Sequence, residues 1–305
     1  MDWRARMAEL SELGSYRSID ELLIQAASEA DSDEDKLEAI LARAELLEDT
    51  FLRRVEAANL FLQILDIDPS RTDALRRSRF IHRSLGMLPQ VAQSLERELG
   101  VTDEPVLAAD MLNELGDVMQ ELGEYDRARA SYANALNLQP ANEAAQGSMD
   151  DLEANEVEAQ ERMMTLAQEG AGGDGFAAMS QLVRAARIAK RLGDAGLRAF
   201  LEAALRAVPT AVEANAMIDS WFASAGDFDG LRDFHHRFAD SLTDPAEKSR
   251  WATNAAARWL NRFQDPDIAA SLLAVAAEAD PNNVASQVAL ALQEELAGEE
   301  PVASP

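Results

Sequence analysis

The sequence predicts an all-α fold of consecutive helical hairpins. Ala and Leu dominate its apolar residues, and aromatic residues make up only 6% of the 305-residue chain. Ala and Leu lose little free energy on entering a helix, so this composition favours helix over sheet. Four amphipathic segments also recur, and each ends in a proline that cannot continue a helix. These prolines are Pro69, Pro140, Pro209 and Pro281, which lie 71, 69 and 72 residues apart.

Loop signals recur midway between the prolines, around Asp33, Asp103, the run 170–175 and Asp244. Asp or Thr just ahead of an apolar-periodic segment is typical of a helix N-cap. A repeat of roughly 70 residues is too long for one helical hairpin and fits two. We therefore expect a right-handed α-solenoid of about eight antiparallel hairpins. They start near residues 1, 38, 72, 109, 143, 178, 212 and 250, and a last helix follows near residues 283–296.

Two regions depart from this regular pattern. Residues 143–169 contain no proline and a single glycine, Gly147, which leaves open one long helix or two helices with an unusual turn. The Gly-rich run 170–175 is expected to be a flexible joint. The predicted organisation is an N-terminal half over 1–169, the joint over 170–175, a C-terminal half over 176–297 and a disordered tail over 298–305.

One segment, residues 109–142, carries a spaced pattern of small and large residues. It reads Leu112-x2-Leu115-Gly116-x2-Met119, then Ala128-x3-Tyr132-x2-Ala135-x4-Pro140. The segment resembles a tetratricopeptide repeat (TPR), whose pattern is W-x2-L-G-x2-Y followed by A-x3-F-x2-A-x4-P. Its small residues let helices approach closely, and its large residues fill the gaps between them. Elsewhere mainly the second half of the pattern survives, so HEAT-like pairing is the alternative fold.

The resemblance implies a function as well as a fold. TPR proteins usually bind extended peptides or partner helices on a concave surface lined by the first helix of each repeat. We therefore expect a protein-binding scaffold or adaptor. The resemblance does not extend to the carboxylate clamp of chaperone-binding TPRs, because Glu114 and Asp117 beside Asn113 oppose a carboxylate ligand.

Three stripes of polar and aromatic residues fall on the expected concave faces, at the three-to-four-residue spacing of one helix face. Arg beside an aromatic residue is typical of interaction hot spots, and Asn or Gln can hydrogen-bond a peptide backbone. The candidate partner-binding residues are Arg76, Arg77, Phe80 and Arg83 in the third hairpin, Asn113, Glu114, Asp117, Gln120 and Glu121 in the fourth, and Trp251, Asn254, Arg258 and Arg262 in the eighth.

A structural interpretation of the same stripes stays open. Arg76 and Arg83 would then pair with acidic residues of the next first helix, Glu114 and Asp117, and the aromatic residues would belong to the core. A further basic stripe is interpreted as a solvated face that complements a helix C-terminus. It consists of Arg184, Arg187, Lys190 and Arg191.

The charge balance narrows the class of partner. The chain carries 55 acidic and 28 basic residues, a formal net charge of −27. Such a surface repels phosphate backbones and anionic lipids, which argues against nucleic-acid and membrane binding. It favours a protein or peptide partner with basic segments, or else reflects a high-salt habitat. No span approaches the ~20 apolar residues of a membrane helix, and no signal-peptide run is present, so a cytoplasmic location is expected.

Catalytic chemistry has little support in the residue types present. The chain has no cysteine and three histidines, His82, His235 and His236. The adjacent pair would point about 100° apart on a helix, which keeps both from reaching one metal ion. The run 170–175 lacks the Lys-Ser/Thr of a phosphate loop. We expect no cofactor, no metal and no enzymatic activity. One alternative is a structural spacer or self-assembling segment of a larger protein or oligomer, which includes a homo-oligomer. Another is a metal-dependent helical enzyme or sensor built on the histidine pair.

Overall fold

Helices account for all the regular secondary structure in the computed structural model, which describes residues 3–173 and 175–299. There are seventeen α-helices in these residues and one π-helical turn, Trp259–Phe263. The helices are α1 (Trp3–Glu12), α2 (Tyr16–Ser28), α3 (Asp33–Asp49), α4 (Arg54–Ile67), α5 (Thr72–Ser84), α6 (Leu88–Leu99), α7 (Pro105–Leu122), α8 (Tyr125–Leu138), α9 (Glu143–Glu153), α10 (Glu156–Gly172), α11 (Gly175–Leu192), α12 (Leu197–Ala207), α13 (Val212–Ser224), α14 (Phe228–Ser241), α15 (Pro245–Arg258), α16 (Pro266–Ala279) and α17 (Val284–Glu299).

Successive helices pack on each other, as α1 does on α2, α3 on α4, α7 on α8, α11 on α12 and α15 on α16, and α17 packs on α16. The predicted all-α fold of helical hairpins is confirmed. Glycine residues lie in several of the turns between helices. Gly123, for example, ends α7 with a φ of 80°, a left-handed conformation that glycine adopts without steric cost. Among the described residues, none of the helices is both long and apolar enough to cross a lipid bilayer.

Helix starts confirm the cap chemistry in part. The Asp244 side chain accepts from the backbone N–H groups of the first turn of α15, and Pro245 is the first residue of that helix. At α3 the cap is Ser32 rather than Asp33, since the Ser32 side chain accepts from the backbone N–H of Asp35. Pro105 is the first residue of α7, which has no side-chain cap.

The fifth hairpin consists of two helices, which resolves the alternatives left open for residues 143–169. α9 ends at Glu153 and α10 begins at Glu156. A capping box makes the turn: the Asn155 side chain accepts from the Glu158 backbone N–H, and the Glu158 carboxylate accepts from the Asn155 backbone N–H. Asn followed three residues later by Glu is a sequence signature of a helix N-terminus, so this boundary could have been found without glycine or proline.

The TPR-like segment packs as its pattern predicts. Tyr132 on α8 is fully buried and lies directly against Gly116 on α7. A Cβ at position 116 would lie 2.4 Å from Tyr132 Cε1, so only glycine allows this approach of the two helices. Residues from α6, α7, α8 and α9 share the core around Tyr132, including Leu95, Val118 and Leu152. A hairpin therefore completes its core with residues from its neighbours.

The chain forms two compact units. The first contains the residues up to Ile81 together with those from His236 onwards, and the second contains His82 to His235. The boundaries fall inside α5 and α14, whereas the division expected from the sequence falls at residues 170–175. Gly170 lies within α10 and packs against Leu182, and Gly175 begins α11. Flexibility at 170–175 stays a prediction. Of the expected tail over 298–305, α17 includes 298 and 299, and the remainder lies outside the described residues.

Gly116→Ala tests the close approach of α7 and α8. Ala normally stabilises a helix interior by about 1 kcal/mol relative to Gly, but here the added methyl group would overlap the Tyr132 ring. We expect a net loss of about 1–3 kcal/mol, the usual cost of overpacking, measured by urea unfolding. Gly172→Ala is the matched control, because its Cβ would meet nothing within 4 Å. A stabilisation by both substitutions would show that Tyr132 moves aside freely.

Candidate functional site

The predicted stripe on α5 is exposed at one end and buried at the other. Arg76, Arg77 and Phe80 are exposed, and Phe80 keeps 56% of its surface in solvent. Arg77 Nε lies 2.8 Å from Glu48 Oε2, which places this arginine in an ion pair with α3. The Arg83 side chain is only 11% exposed. The expectation of exposure is therefore wrong for Arg83.

The stripe on α7 is mostly covered. Gln120 and Glu121 are buried, and Asn113, Glu114 and Asp117 are half-buried. Gln120 Nε2 donates to Tyr132 Oη at 2.7 Å. The expectation of exposure is wrong for Gln120 and Glu121, whereas a role of this stripe in partner binding stays a prediction.

The stripe on α15 belongs largely to the core of the first unit. Trp251 is 1% exposed and Arg258 is 3% exposed. The Trp251 ring packs on Phe238 with centroids 4.9 Å apart. Asn254 Oδ1 accepts from the guanidinium of Arg54 at 2.6 Å, and Arg262 is half-buried. The expected exposure of this stripe is wrong, and the structural interpretation of its tryptophan is confirmed.

Charged residues on the first helices of four hairpins meet in the second unit. This ion cluster consists of Arg83 on α5, Asp117 and Glu121 on α7, Arg187 on α11 and Glu213 on α13. Arg83 Nη2 lies 2.7 Å from Glu121 Oε1 and 3.6 Å from Glu213 Oε1. Arg187 Nη2 lies 2.9 Å from Asp117 Oδ2 and also pairs with Glu213. Arg83 thus pairs with an acidic residue of α7, as the structural interpretation expects, but with Glu121 rather than Asp117.

Burial sets the protonation of the ion cluster. Loss of hydration raises the pKa of Asp117 and of Glu121, although the neighbouring guanidinium groups act to lower both values. Burial acts to lower the pKa of Arg187, but the attraction of the three carboxylates outweighs it, and that pKa lies above its ordinary value. Because three carboxylates share two guanidinium groups, one carboxylate is in surplus, and this surplus favours a retained proton.

Tyr132 connects the ion cluster to the hairpin core. Its hydroxyl donates to Asp117 Oδ1 at 2.7 Å and accepts from Gln120 Nε2 at 2.7 Å. Burial, followed by the charge of Asp117, raises the pKa of Tyr132, so the hydroxyl stays a donor. The first helices that a TPR groove would use are therefore joined to one another here by ion pairs and hydrogen bonds.

The basic stripe of α11 complements the C-terminal ends of other helices. Arg191 Nη2 donates to the Asp151 carbonyl at 2.9 Å and to the Ala154 carbonyl at 3.3 Å, at the end of α9. Lys190 Nζ donates to the Glu121 carbonyl at 2.6 Å, near the end of α7. Positive charge at a helix C-terminus offsets the partial negative charge of its last carbonyl groups. The stripe is not a uniformly solvated face, since Arg187 belongs to the ion cluster.

An open groove with a volume of about 690 Å³ lies among α9, α10 and α11. We call it the acidic groove, because six carboxylates and only two guanidinium groups, those of Arg162 and Arg184, line it. The carboxylates belong to Asp150, Asp151, Glu153, Glu158, Glu161 and Glu169. The groove is not predictable from the sequence, because its walls come from three helices and its acidic residues resemble any solvated helix face.

One buried carboxylate fixes the walls of the acidic groove. Asp151 on α9 lies 2.8 Å from Arg162 Nε on α10 and 2.7 Å from Arg184 Nη2 on α11. Asp151 is thus neutralised, whereas Glu161 and Glu169 make no ion pair with any described residue and are exposed. The negative potential of the groove comes mainly from such exposed carboxylates.

Two apolar side chains lie beside the acidic groove on α10. Val157 is 65% exposed and Met164 is 62% exposed. Each precedes a residue that lines the groove, Glu158 and Thr165 respectively. Exposed apolar groups next to a charged groove are typical of interaction surfaces.

The three histidines have separate environments. His82 is buried, and burial lowers its pKa. His235 Nε2 lies 3.0 Å from Asp219 Oδ1, and both side chains are fully buried. His236 Nε2 lies 3.1 Å from Ser271 Oγ. Within residues 3–173 and 175–299, no group of three or more His, Cys, Asp or Glu residues is arranged to hold a metal ion.

The hairpins and their shared cores define a helical-repeat protein with a TPR-like fold. The structure is similar to that of a tetratricopeptide repeat protein from Parabacteroides merdae ATCC 43184, with 12% identity, a TM-score of 0.40, and coverage of 96% of this chain and 98% of that one. It is also similar to the P58(IPK) TPR domain, with 13% identity, a TM-score of 0.27 and coverage of 98% of both chains. Both scores are low, so neither similarity informs the site or the function. No protein-family model and no curated protein matches the sequence.

Arg187→Met tests whether the ion cluster holds the first helices together. The substitution leaves one buried and two partly buried carboxylates facing Arg83 alone, and breaking a buried ion pair costs about 3–5 kcal/mol. We expect a loss of this size in urea unfolding. Arg129→Met is the control, because Arg129 makes exposed ion pairs with Asp126 and Glu153 that contribute at most about 1 kcal/mol. Equal small losses in both variants would contradict a stabilising cluster.

Glu121→Gln tests the raised pKa in the ion cluster. Between pH 4.5 and the raised pKa of the folded state, Glu121 retains a proton that the unfolded chain releases. The contribution of Glu121 to the free energy of unfolding therefore falls as the pH rises through this range. Glu121→Gln removes this titration, so stability should fall less steeply with pH above 4.5 than in the wild type. Glu161→Gln, which removes the same charge from an exposed position, should keep the wild-type slope. Identical slopes for the two variants would refute the shift.

Proposed function

We propose that the chain is a non-catalytic interaction scaffold that binds a basic segment of a protein partner in the acidic groove. The groove carries the proposal because it is open, has a volume of about 690 Å³ and has a strong excess of carboxylates. A surface of this charge attracts Lys and Arg side chains and repels nucleic acids.

Long-range charge supports the same partner class. The net charge of −27 raises the encounter rate with basic segments over the whole surface, and the groove concentrates the potential at one place. Glu161 and Glu169 are the carboxylates most accessible to a bound cation, because neither pairs with a described arginine.

A preformed groove lowers the cost of binding. The double pairing of Asp151 with Arg162 and Arg184 ties together the helices that form the walls. Little side-chain ordering is then needed when a partner enters, and less of the binding free energy is lost to it.

The apolar residues specify the partner further. Val157 and Met164 are seven residues apart on α10, which places them about 10 Å apart along the helix axis. A partner helix or strand with basic residues on one side and apolar residues beside them matches both parts of this surface. Such a partner buries apolar area in addition to pairing charges.

The exposed end of the α5 stripe is a second candidate surface. Arg76, Arg77 and Phe80 combine basic and aromatic groups at accessible positions, which favours an interaction hot spot. These three residues are exposed, so the prediction that they line a partner-binding face still applies to them. A cytoplasmic location and the absence of catalysis belong to the same proposal.

The binding test uses the full chain and a fluorescent peptide that alternates Arg and Leu, followed by anisotropy. Glu161→Lys/Glu169→Lys should weaken binding at least about tenfold, because two attractive contacts become repulsive. The control, Glu12→Lys/Glu21→Lys, makes the same change of net charge in exposed residues of the first unit. Rising salt should weaken wild-type binding.

Equal losses in the two charge-reversed variants would show that the peptide responds only to net charge, and would contradict a site in the groove. The variant Arg76→Glu/Phe80→Ala tests the second surface, on α5. If it alone impairs capture of a native partner, the α5 surface rather than the acidic groove is the binding site. Failure of the wild type to bind any basic peptide or native partner would favour the structural spacer or self-assembling segment.

A further inference from the structure

Polar contacts join the N-terminal and C-terminal segments of the first unit. Asn261, on the π-helical turn after α15, accepts from the backbone N–H of Val55 at 3.0 Å and donates to the Leu52 carbonyl at 2.7 Å. Arg54 Nη2 donates to Asn254 Oδ1 at 2.6 Å. These five residues form what we call the terminal latch. Its two sides are about 200 residues apart in sequence, the separations for these bonds being 200, 206 and 209.

The backbone of the latch is strained on both sides. Leu52 is buried and has a φ of 56°, in the left-handed region that a residue with a Cβ adopts only at a cost in free energy. Its carbonyl is the one that accepts from Asn261. On the other side, the π-helical turn ends at Gln264, which has a φ of 55°. Such strain persists where other contacts hold it in place, and it is common at switching segments.

Arg54 adds an electrostatic cost to the closed latch. Its hydrogen bond goes to a neutral amide, and its Nε is buried without a partner among the described residues. Burial lowers the pKa of Arg54 to about 10; the nearby charge of Arg258 acts in the same direction, and the charges of Glu48 and Asp49 act against it. The guanidinium thus loses hydration that a hydrogen bond to a neutral amide does not fully replace.

Each side of the latch has its own apolar packing. Leu10, Ile19 and Leu23 form a core cluster in α1 and α2. On the other side, α16 packs on α15 and α17, and its Leu272 and Leu273 are fully buried. A further contact between the sides, the ion pair of Arg17 with Glu295, is exposed, and exposed pairs contribute little.

We propose that the terminal latch is a releasable contact, so that the first unit opens between its N-terminal and C-terminal segments while the helices of each segment stay folded. Opening breaks the three latch hydrogen bonds, returns Arg54 to water and lets Leu52 leave the left-handed region. The strain at Leu52 and the lost hydration of Arg54 raise the free energy of the closed state, and so offset part of the stabilisation from its three hydrogen bonds. The latch lies in a different unit from the acidic groove, so the proposal is independent of the proposed function.

Hydrogen exchange of the full chain tests the latch, read at the α4 peptide that contains Val55. Asn261→Ala removes the acceptor of the Val55 N–H, and we expect exchange there to rise about tenfold, the effect of losing one to two hydrogen bonds. The melting temperature should stay near that of the wild type. Arg54→Leu/Asn254→Leu replaces the buried cation and its amide by apolar groups, and should slow exchange at the same peptide.

Distances provide the second measurement. The chain has no cysteine, so Ser28→Cys/Asn282→Cys accepts one dye on each side of the latch. Asn261→Ala should increase the population with low energy transfer, and Arg54→Leu/Asn254→Leu should decrease it. Unchanged exchange and energy transfer in Asn261→Ala would overturn the proposal. So would faster exchange throughout the chain with a lowered melting temperature, because the ends would then unfold together with the rest.

Discussion

A helical hairpin of this chain cannot bury its apolar face by itself, and the whole structure depends on that constraint. The core around Tyr132 shows how the constraint is met, because α6, α7, α8 and α9 all contribute residues to it. Gly116 allows α7 and α8 to approach, and the remaining apolar surface is then buried by the next hairpin. Stacking of neighbours is thus a consequence of amphipathic helices too short to be stable alone.

Stacking also brings the polar faces of the first helices close together, so their charged side chains need partners. In the second unit the solution is the ion cluster, in which Arg83 and Arg187 compensate the carboxylates of α7 and α13. Glu121 is buried and the other two carboxylates are partly buried, so loss of one arginine leaves charge that water does not fully screen. Polar side chains of the first helices thus contact one another in this part of the second unit.

The acidic groove and the terminal latch show two other outcomes for polar groups. In the groove, Asp151 pairs with both Arg162 and Arg184. The other carboxylates that lack an arginine partner remain in solvent, where their charge costs little free energy of hydration and attracts cations. In the latch, Arg54 donates to a neutral amide close to the strained Leu52. An accessible charge attracts a partner of opposite sign, whereas a guanidinium that has lost hydration adds a cost to the closed contact. The two regions are therefore suited to different tasks.

Local patterns in the sequence predict the helices and many of their ends. The prolines that follow helices and the Gly116 pattern act within one hairpin, where residues three or four apart on a helix meet predictably. The capping box at Asn155 and Glu158 is equally readable from the sequence.

Which polar faces are exposed depends on contacts between helices that are distant in sequence. Periodicity places Arg83, Gln120 and Trp251 on definite faces of their helices, but does not reveal what covers those faces. The covering residues lie far along the chain, as Glu213 does from Arg83 and as Arg54 does from Asn254. The fold could be predicted because its interactions are mainly local. The site could not, because burial and charge pairing depend on contacts between helices that are distant in sequence.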